Sequence, residues 1–442
     1  MRAYPLVRTE RLDAVVASSH GRRITAAELL GEAAALAAAL PDRPYVINLC
    51  RDRYRFTLGL LAALMRGQPS LLPPNETPLT LGQLASDYPG LYGLVDQSHV
   101  DAPFPTELVP AEIAATPAHS TPEIAAEQEA VILFTSGSTG RPKPNEKQWG
   151  HLVELSRAAG RRLGVDKLRG ATVIGSVPHQ HAFGLESTVL LPLQHGLIVE
   201  AGRPFYPADV AAALAASPRP RILVTTPIHL RALILDQNAL PAADLLICAT
   251  APLQKALAAE AEAKFQAPLM EIYGCSETGQ LAARRTVDTD EWRCLDGIVL
   301  RQDAQGTWAG GGPLIGETLL NDVIELVAPD RFHLLGRTAD LVNIAGKRSS
   351  LAYLNVQLNS VPGVRDGVFV MPEAAGTTPT RLMAFAVAPG LTADFLLAEL
   401  RRRIDPAFLP RPLCLVDTLP RSPSGKLPRE QVERLVAMAD AS

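Results

Sequence analysis

Along most of this chain, short apolar runs alternate with longer stretches in which apolar residues recur every three or four positions. Tyr45–Leu49, Val131–Phe134 and Ile222–Val224 are each bounded by turn residues or charges, which predicts buried strands. Between them, the alanine-rich stretches Ala26–Leu40, Asp209–Ala216 and Leu253–Phe265 carry helical stripes. Strands alternating with helices predict an α/β fold with mostly parallel sheets. Beyond about Gly336 the texture changes. Val364–Met371 and Leu382–Val387 read as strands around a loop at Pro372–Thr380, followed by helices over Ala393–Ile404 and Arg429–Ala439. The expected division is a large body over 1–338 and a small α+β domain over 339–442.

Composition narrows the picture. Of 442 residues, 47% are hydrophobic and 20% charged, enough for a sizeable core and too apolar for a disordered chain. The 32 glycines and 37 prolines indicate many turns, against a helical bundle. A formal charge of −4 excludes a chain-wide electrostatic nucleic-acid binder. Cys50, Cys248, Cys275, Cys294 and Cys414 form no C-x-x-C pair, so neither a disulfide framework nor a zinc knuckle is expected. The N-terminus lacks a continuous apolar core of the signal-peptide kind, and the most apolar stretch, Phe56–Met65, stops at Arg66, short of a membrane span. The expected compartment is cytoplasmic, with no nucleic-acid partner and no membrane span.

The chemistry is concentrated in a few segments. Val131–Phe134 runs into Thr135, Ser136, Gly137, Ser138, Thr139 and Gly140, and the stretch ends at Lys143. Glycines let backbone N–H groups face an anion, hydroxyls add donors, and the lysine adds charge, which together make a polyphosphate cradle. It is not a Walker A loop, because no G-x-x-x-x-G-K-[ST] is present.

The segment Thr135–Lys143 resembles the phosphate loop of the adenylate-forming superfamily, whose members include acyl- and aryl-CoA synthetases, nonribosomal peptide synthetase adenylation domains and luciferases. Three further motifs follow in that family's order. Glu271-Ile-Tyr-Gly-Cys-Ser-Glu-Thr278 is similar to the segment that sets an aromatic ring on adenine, offers a hydroxyl to the α-phosphate and gives a carboxylate to Mg2+. The resemblance puts those roles on Tyr273, Ser276 and Glu277, with Gly274 and Gly279 in the same turn. Upstream, Ala249, Thr250 and Ala251 resemble the small-residue turn along the adenine and acid pocket. Asp322 matches the ribose-binding aspartate, and Arg337 the arginine that follows it. At the family's hinge position stands Ala339, with Asp340 beside it, and either can be the pivot. Lys426, in Ser-Pro-Ser-Gly-Lys, resembles the mobile lysine that enters the active site from the C-terminal domain. An ammonium there suits a step in which an attacking carboxylate and a departing pyrophosphate are both anions. The implied cofactors are ATP and Mg2+, with Lys143, Glu277 and Lys426 as catalytic residues.

His179 and His181 lie two apart but have no acidic or cysteine partner at ligand spacing, so no metal site is expected there. His181-Ala-Phe-Gly184 resembles the family's acid-pocket wall, which assigns His181, Phe183 and Gly184, with Ala249 and Gly279, to pocket shaping. The acceptor thiol implied is that of coenzyme A or of the phosphopantetheine arm of an acyl carrier protein. Residues 341–442 hold 12 Lys+Arg against 9 Asp+Glu, a basic balance that suits an acidic carrier protein and equally the phosphates of coenzyme A. The compact length and the His-Gln-His-Ala-Phe-Gly segment also resemble hydroxybenzoate ligases of aryl-polyene (xanthomonadin-type) pigment pathways, which load an acyl carrier protein. A medium-chain fatty acid is the competing substrate. A nucleotide-binding regulator without turnover is the reading from another class, and retention of Lys143, Glu277, Asp322 and Lys426 stands against it.

Overall fold

The computed structural model describes residues 2–97, 101–136, 142–236, 239–337, 341–344, 347–372, 381–422 and 427–440. An eleven-stranded sheet organises the body. Its middle runs parallel in the order Leu269–Cys275, Leu245–Cys248, Arg221–Thr225, Thr172–Gly175, Ile198–Glu200 and Val15–Ser19. These are runs of wholly or largely buried residues such as Ile222, Leu223 and Val224, as expected of strands covered on both faces.

The flank is different. Past Leu269–Cys275 the sheet continues antiparallel through Gly279–Arg284, Trp292–Cys294, Arg331–Arg337 and Asp322–Ala328. Three residues between Cys275 and Gly279 are too few for a crossover, so the chain must turn straight back. The expectation of mostly parallel sheets therefore describes the middle and not this edge.

A second, six-stranded sheet takes the order Pro142–Gln148, Glu129–Ser136, Ser70–Leu72, Val46–Asn48, Tyr92–Val95 and Thr106–Leu108. Only its first pair is antiparallel. The N-terminal stretch, which carries no chemical motif, thus builds the sheet that holds the phosphate strand Glu129–Ser136.

The helices begin where local chemistry tells them to. Ala26–Ala39 starts at Thr25, whose hydroxyl accepts from the Glu28 N–H while the Glu28 carboxylate accepts from the Thr25 N–H at 2.8 Å, a reciprocal cap worth about 1 kcal/mol. Pro207–Ala216 starts two residues earlier than the apolar stripe suggests, because Pro207 suits a first helical position. Lys255–Phe265 starts two residues later, because Leu253 belongs to a turn instead. Arg53, which opens the helix Arg53–Met65, is completely buried. Its guanidinium donates to the carbonyls of Gly175, Glu200 and Gly202 at 2.8, 2.7 and 2.6 Å, tying this helix to the eleven-stranded sheet. Burial among carbonyls pulls its pKa down to about 10.

Beyond residue 347, Asp366–Val370, Met383–Val387 and Leu413–Leu415 make a separate three-stranded sheet. The helices Leu351–Asn359 and Ala393–Arg401 pack on it through Leu354, Leu358, Phe369, Leu396 and Leu400. Truncating one of these leucines to alanine costs about 2–5 kcal/mol. Residues 373–380 of the expected loop lie outside the described residues. Among the described residues no helix is long and apolar enough to cross a membrane.

Candidate active site

The parallel strands aim their carboxyl ends at one region, the usual place for a ligand in an open α/β sheet. After Leu245–Cys248 comes Ala249, buried, and then Thr250 at φ +82°. A β-branched residue in the left-handed region is strained by about 1–3 kcal/mol, a cost that clusters at functional turns. The Leu253 N–H holds the turn by donating to Glu271 Oε1 at 3.0 Å. Phe183 packs against the apolar cluster that contains Ala249 and Ile272, so two of the expected pocket residues belong to one cluster. At Gly184 a Cβ would lie 1.9 Å from the Pro178 carbonyl oxygen, so only glycine closes this loop. His181 stands at the position before the short helix Ala182–Leu185, without capping it through its side chain, and is half-buried.

His179 is wholly buried, with Nε2 2.9 Å from the Cys50 carbonyl oxygen, so this nitrogen carries the proton. Burial holds its pKa down at about 3, and it acts as a neutral pin beneath the loop. Among the described residues no three His, Cys, Asp or Glu side chains gather as a metal cage.

The strand Leu269–Cys275 brings Tyr273 to the site. Its hydroxyl donates to Asp322 Oδ2 at 2.7 Å, joining two motifs that lie 49 positions apart. The ring packs against Trp292 and Phe332, at centroid distances of 5.7 and 5.5 Å, leaving 8% of the residue exposed. Asp322 and Arg337 are register partners at the ends of adjacent antiparallel strands, so their spacing is that of a hairpin. Gly274 sits at a bulge where a Cβ would come 2.2 Å from the Gly279 carbonyl oxygen. The chain then turns through Ser276 and Glu277, both half-buried, and Gly279 at φ +74° leads it back.

Two charged side chains absent from the sequence expectations hold this turn. Lys147 is buried and its ammonium donates to the main-chain carbonyl of Glu277. Desolvation lowers its pKa, opposed by the nearby carboxylates of Glu186 and Glu277. Glu186 is buried too, and its Oε2 accepts from the Gln280 N–H at 3.1 Å. Burial pushes its carboxyl up to about 7, against the pull of Lys147 and of that N–H. Neither residue falls inside a quoted motif. The available signal was a lone glutamate within the apolar run Leu185–Leu193. A cavity of about 510 Å3 opens beside the turn, lined among others by Lys147, His151, Glu277, Thr278 and Leu314. Its His151 bonds the Pro313 carbonyl through Nδ1 at 2.8 Å, and burial with the Lys147 charge holds the imidazole near pKa 4.

Thr135 and Ser136 end the strand Glu129–Ser136, and Lys143 lies directly opposite Thr135 on the returning strand, exposed. The lysine is therefore on a strand and not in the loop itself. Gly137, Ser138, Thr139 and Gly140, the hinge candidates Ala339 and Asp340, and Lys426 lie outside the described residues. Just before Lys426, Arg421 donates to both carboxylate oxygens of Asp366 at 2.7 and 2.8 Å. Next to that pair, Arg231 of the body donates to the Arg365 carbonyl.

The family model for AMP-binding enzymes matches residues 83–299. A 4-coumarate–CoA ligase of Rhodobacter capsulatus is 30% identical over 279 residues, which is 63% of this chain and 68% of the relative. The chain belongs to the AMP-binding enzyme family. It is an AMP-forming acid–thiol ligase of the adenylate-forming superfamily. A nonribosomal peptide synthetase-like enzyme of Aspergillus fumigatus is 25% identical over 72% of this chain and 25% of the relative. In fold, the chain is similar to ATP-bound MatB of Rhodopseudomonas palustris, with a TM-score of 0.82 at 19% identity over 97% of both chains. It is also similar to the o-succinylbenzoate coenzyme A synthetase of Bacillus subtilis in complex with ATP and magnesium ion, at a TM-score of 0.79 and 20% identity over 95% of this chain and 97% of that one.

Proposed function

We propose that this AMP-binding enzyme activates an aryl carboxylic acid of the hydroxybenzoate type and loads it onto the phosphopantetheine thiol of an acyl carrier protein. The observation that carries the nucleotide half of this reading is the Tyr273–Asp322 hydrogen bond. It joins Asp322, a carboxylate suited to two ribose hydroxyls, to the strand-and-turn that carries the Tyr273 ring and Glu277. ATP lies across the phosphate loop, the Ala249–Ala251 turn and Tyr273, with Asp322 and Arg337 on the ribose and Ser276 on the α-phosphate. The strained Thr250 turn and the glycine-only approach at Gly274 fit a ligand that comes close to the backbone.

The donor set also fits Mg2+. One half-buried carboxylate, Glu277, with no acidic cage around it among the described residues, is the arrangement for a hard cation that keeps waters and bridges nucleotide phosphates. When bound, the ion neutralises charge building on the phosphates. The acid, already ionised at pH 7, attacks the α-phosphorus and needs no general base. Lys143 and Lys426 offset the charge of the departing pyrophosphate. His181, Phe183, Gly184, Ala249 and Gly279 bound the acid pocket. The domain over 339–442 then turns about Ala339 or Asp340, withdrawing Lys426 so that the thiol reaches the adenylate and AMP leaves. The same chemistry suits a cytoplasmic enzyme.

Coenzyme A is the second acceptor reading, favoured by the likeness to 4-coumarate–CoA ligase, and a medium-chain acid the second substrate. Incubation with ATP, Mg2+ and 4-hydroxybenzoate, with either a phosphopantetheinylated carrier protein or coenzyme A, separates them by mass. Acyl-carrier protein is the expected product, and acyl-CoA alone would overturn the acceptor assignment. Lys426→Ala tests the rotation. It is expected to slow adenylate formation by about 100-fold or more while still converting a supplied acyl-adenylate to thioester. Equal loss of both half-reactions contradicts a withdrawn lysine.

A further inference from the structure

Three stretches of chain meet at the turn that follows Cys275. The strand Pro142–Gln148 returns from the phosphate loop and brings Lys147. The helical segment Glu186–Leu190 follows the acid-pocket wall and opens with Glu186. The turn itself presents the Glu277 carbonyl to Lys147 and the Gln280 N–H to Glu186. Both charged residues are buried, 4% and 5% exposed, where lysine and glutamate are seldom found without a partner. Each bonds a main-chain group of the turn and feels the other's charge, so removing one leaves the other less compensated in the interior. The fit around them is close. A Cβ on Gly279 would stand 2.8 Å from Glu186 Oε1 and 2.4 Å from Leu155.

We propose that Lys147 and Glu186 act as a positioning clamp that fixes Glu277 relative to the strand Pro142–Gln148, which also carries Lys143, so that magnesium and nucleotide phosphates bind as one unit. The clamp grips the turn at two points: Lys147 at the carbonyl of Glu277, and Glu186 three residues on at the Gln280 N–H. Because Lys147 shares the strand Pro142–Gln148 with Lys143, it ties the residue proposed to offset phosphate charge to the residue proposed to take the ion. Gln280 extends the grip by donating from Nε2 to Ser187 Oγ at 3.0 Å. Groups of this kind, acting behind a metal ligand, commonly change metal affinity by about 10- to 100-fold. The inference rests on Glu277 being the magnesium ligand.

The test is calorimetric binding of the non-hydrolysable β,γ-methylene analogue of ATP to the full-length protein, with and without Mg2+. In the parent protein Mg2+ tightens binding. Lys147→Met is expected to lose at least about tenfold of that tightening with metal-free binding nearly unchanged, and Lys147→Arg to keep most of it. The isosteric Glu186→Gln is expected to weaken it in the same direction, and carries the test if Lys147→Met does not fold. The double variant Lys147→Met/Glu186→Gln leaves neither charge alone in the interior. Its melting temperature should recover relative to Lys147→Met while the magnesium effect stays lost. Full magnesium-dependent tightening in Lys147→Met, or its return in the double variant along with stability, overturns the clamp. Glu277→Gln separates the two levels. If it too keeps the magnesium effect, the reading of Glu277 as ligand fails. If it loses the effect while Lys147→Met retains it, only the clamp fails.

Discussion

Two buried glutamates stand at opposite ends of the same strand-and-turn and are treated differently. Glu271, 3% exposed, has every need met: Arg284 donates from Nε at 2.8 Å with Nη2 in ion-pair distance of the same oxygen, Thr286 donates from its hydroxyl at 2.8 Å, and Leu253 from its N–H at 3.0 Å. Glu186, at similar burial, accepts from the Gln280 N–H through one oxygen, and Oε1 finds no hydrogen-bond partner among the described residues. A fully satisfied buried carboxylate is a fixed joint, here between the adenine-side turn and the strand carrying Tyr273. A half-satisfied one sits on the side where the ion and phosphates are proposed to bind, and its environment leaves it near neutral pKa. The strand is locked at one end and adjustable at the other.

The largest effect should come from breaking the locked end. Arg284→Met leaves Glu271 charged and unpaired in the interior and is expected to cost about 3–5 kcal/mol in urea unfolding. It also removes the guanidinium stacked 4.4 Å over Trp292. A loss below about 1 kcal/mol would erase the distinction between the two ends.

Next in size is a pH effect specific to Glu186. Its folded carboxyl is raised to about 7, so between the ordinary carboxylate range and 7 the folded state holds the proton more tightly than the unfolded chain. Stability from this group is therefore greatest in acid and falls as pH rises from about 4.5 to 7, by on the order of 3 kcal/mol. Lys147 is the charge facing it and is opposed to the shift. Glu186→Gln should flatten that slope in a stability–pH series, and an unchanged slope would assign it elsewhere.

Smaller again is Thr286→Val, which removes one of the hydrogen bonds to Glu271 and should cost about 1–3 kcal/mol with little change in nucleotide affinity. The smallest is Thr250→Gly. Relief of the left-handed strain should raise stability by up to about 1 kcal/mol while weakening nucleotide binding through a looser turn. Thermal unfolding and analogue titration on the same sample read both.

Much of the body was legible because burial on both faces leaves short apolar runs. Val131–Phe134 lies inside Glu129–Ser136, and Ile222–Val224 inside Arg221–Thr225. The strand Pro142–Gln148 was not legible. Its sequence, Pro-Lys-Pro-Asn-Glu-Lys-Gln, has no apolar alternation and two prolines, tolerated because it forms an edge of the six-stranded sheet. The antiparallel flank escaped for a related reason: strands such as Asp322–Ala328 are half-exposed and too mixed in composition to stand out. In the site, Tyr273, Glu277, Asp322 and Arg337 could be named from motifs, but not the Tyr273–Asp322 bond, which exists only once the hairpin pairs with the strand. Lys147 and Glu186 were invisible because their meaning lies in contacts 130 and 94 positions away.

The proposed activity is tested most directly by ATP–pyrophosphate exchange, measured with Mg2+ over a panel of hydroxybenzoates and medium-chain fatty acids. The prediction is acid-dependent exchange, strongest with an aryl acid, lost in Glu277→Gln. Absence of exchange with every acid from a folded, nucleotide-binding protein would contradict the account.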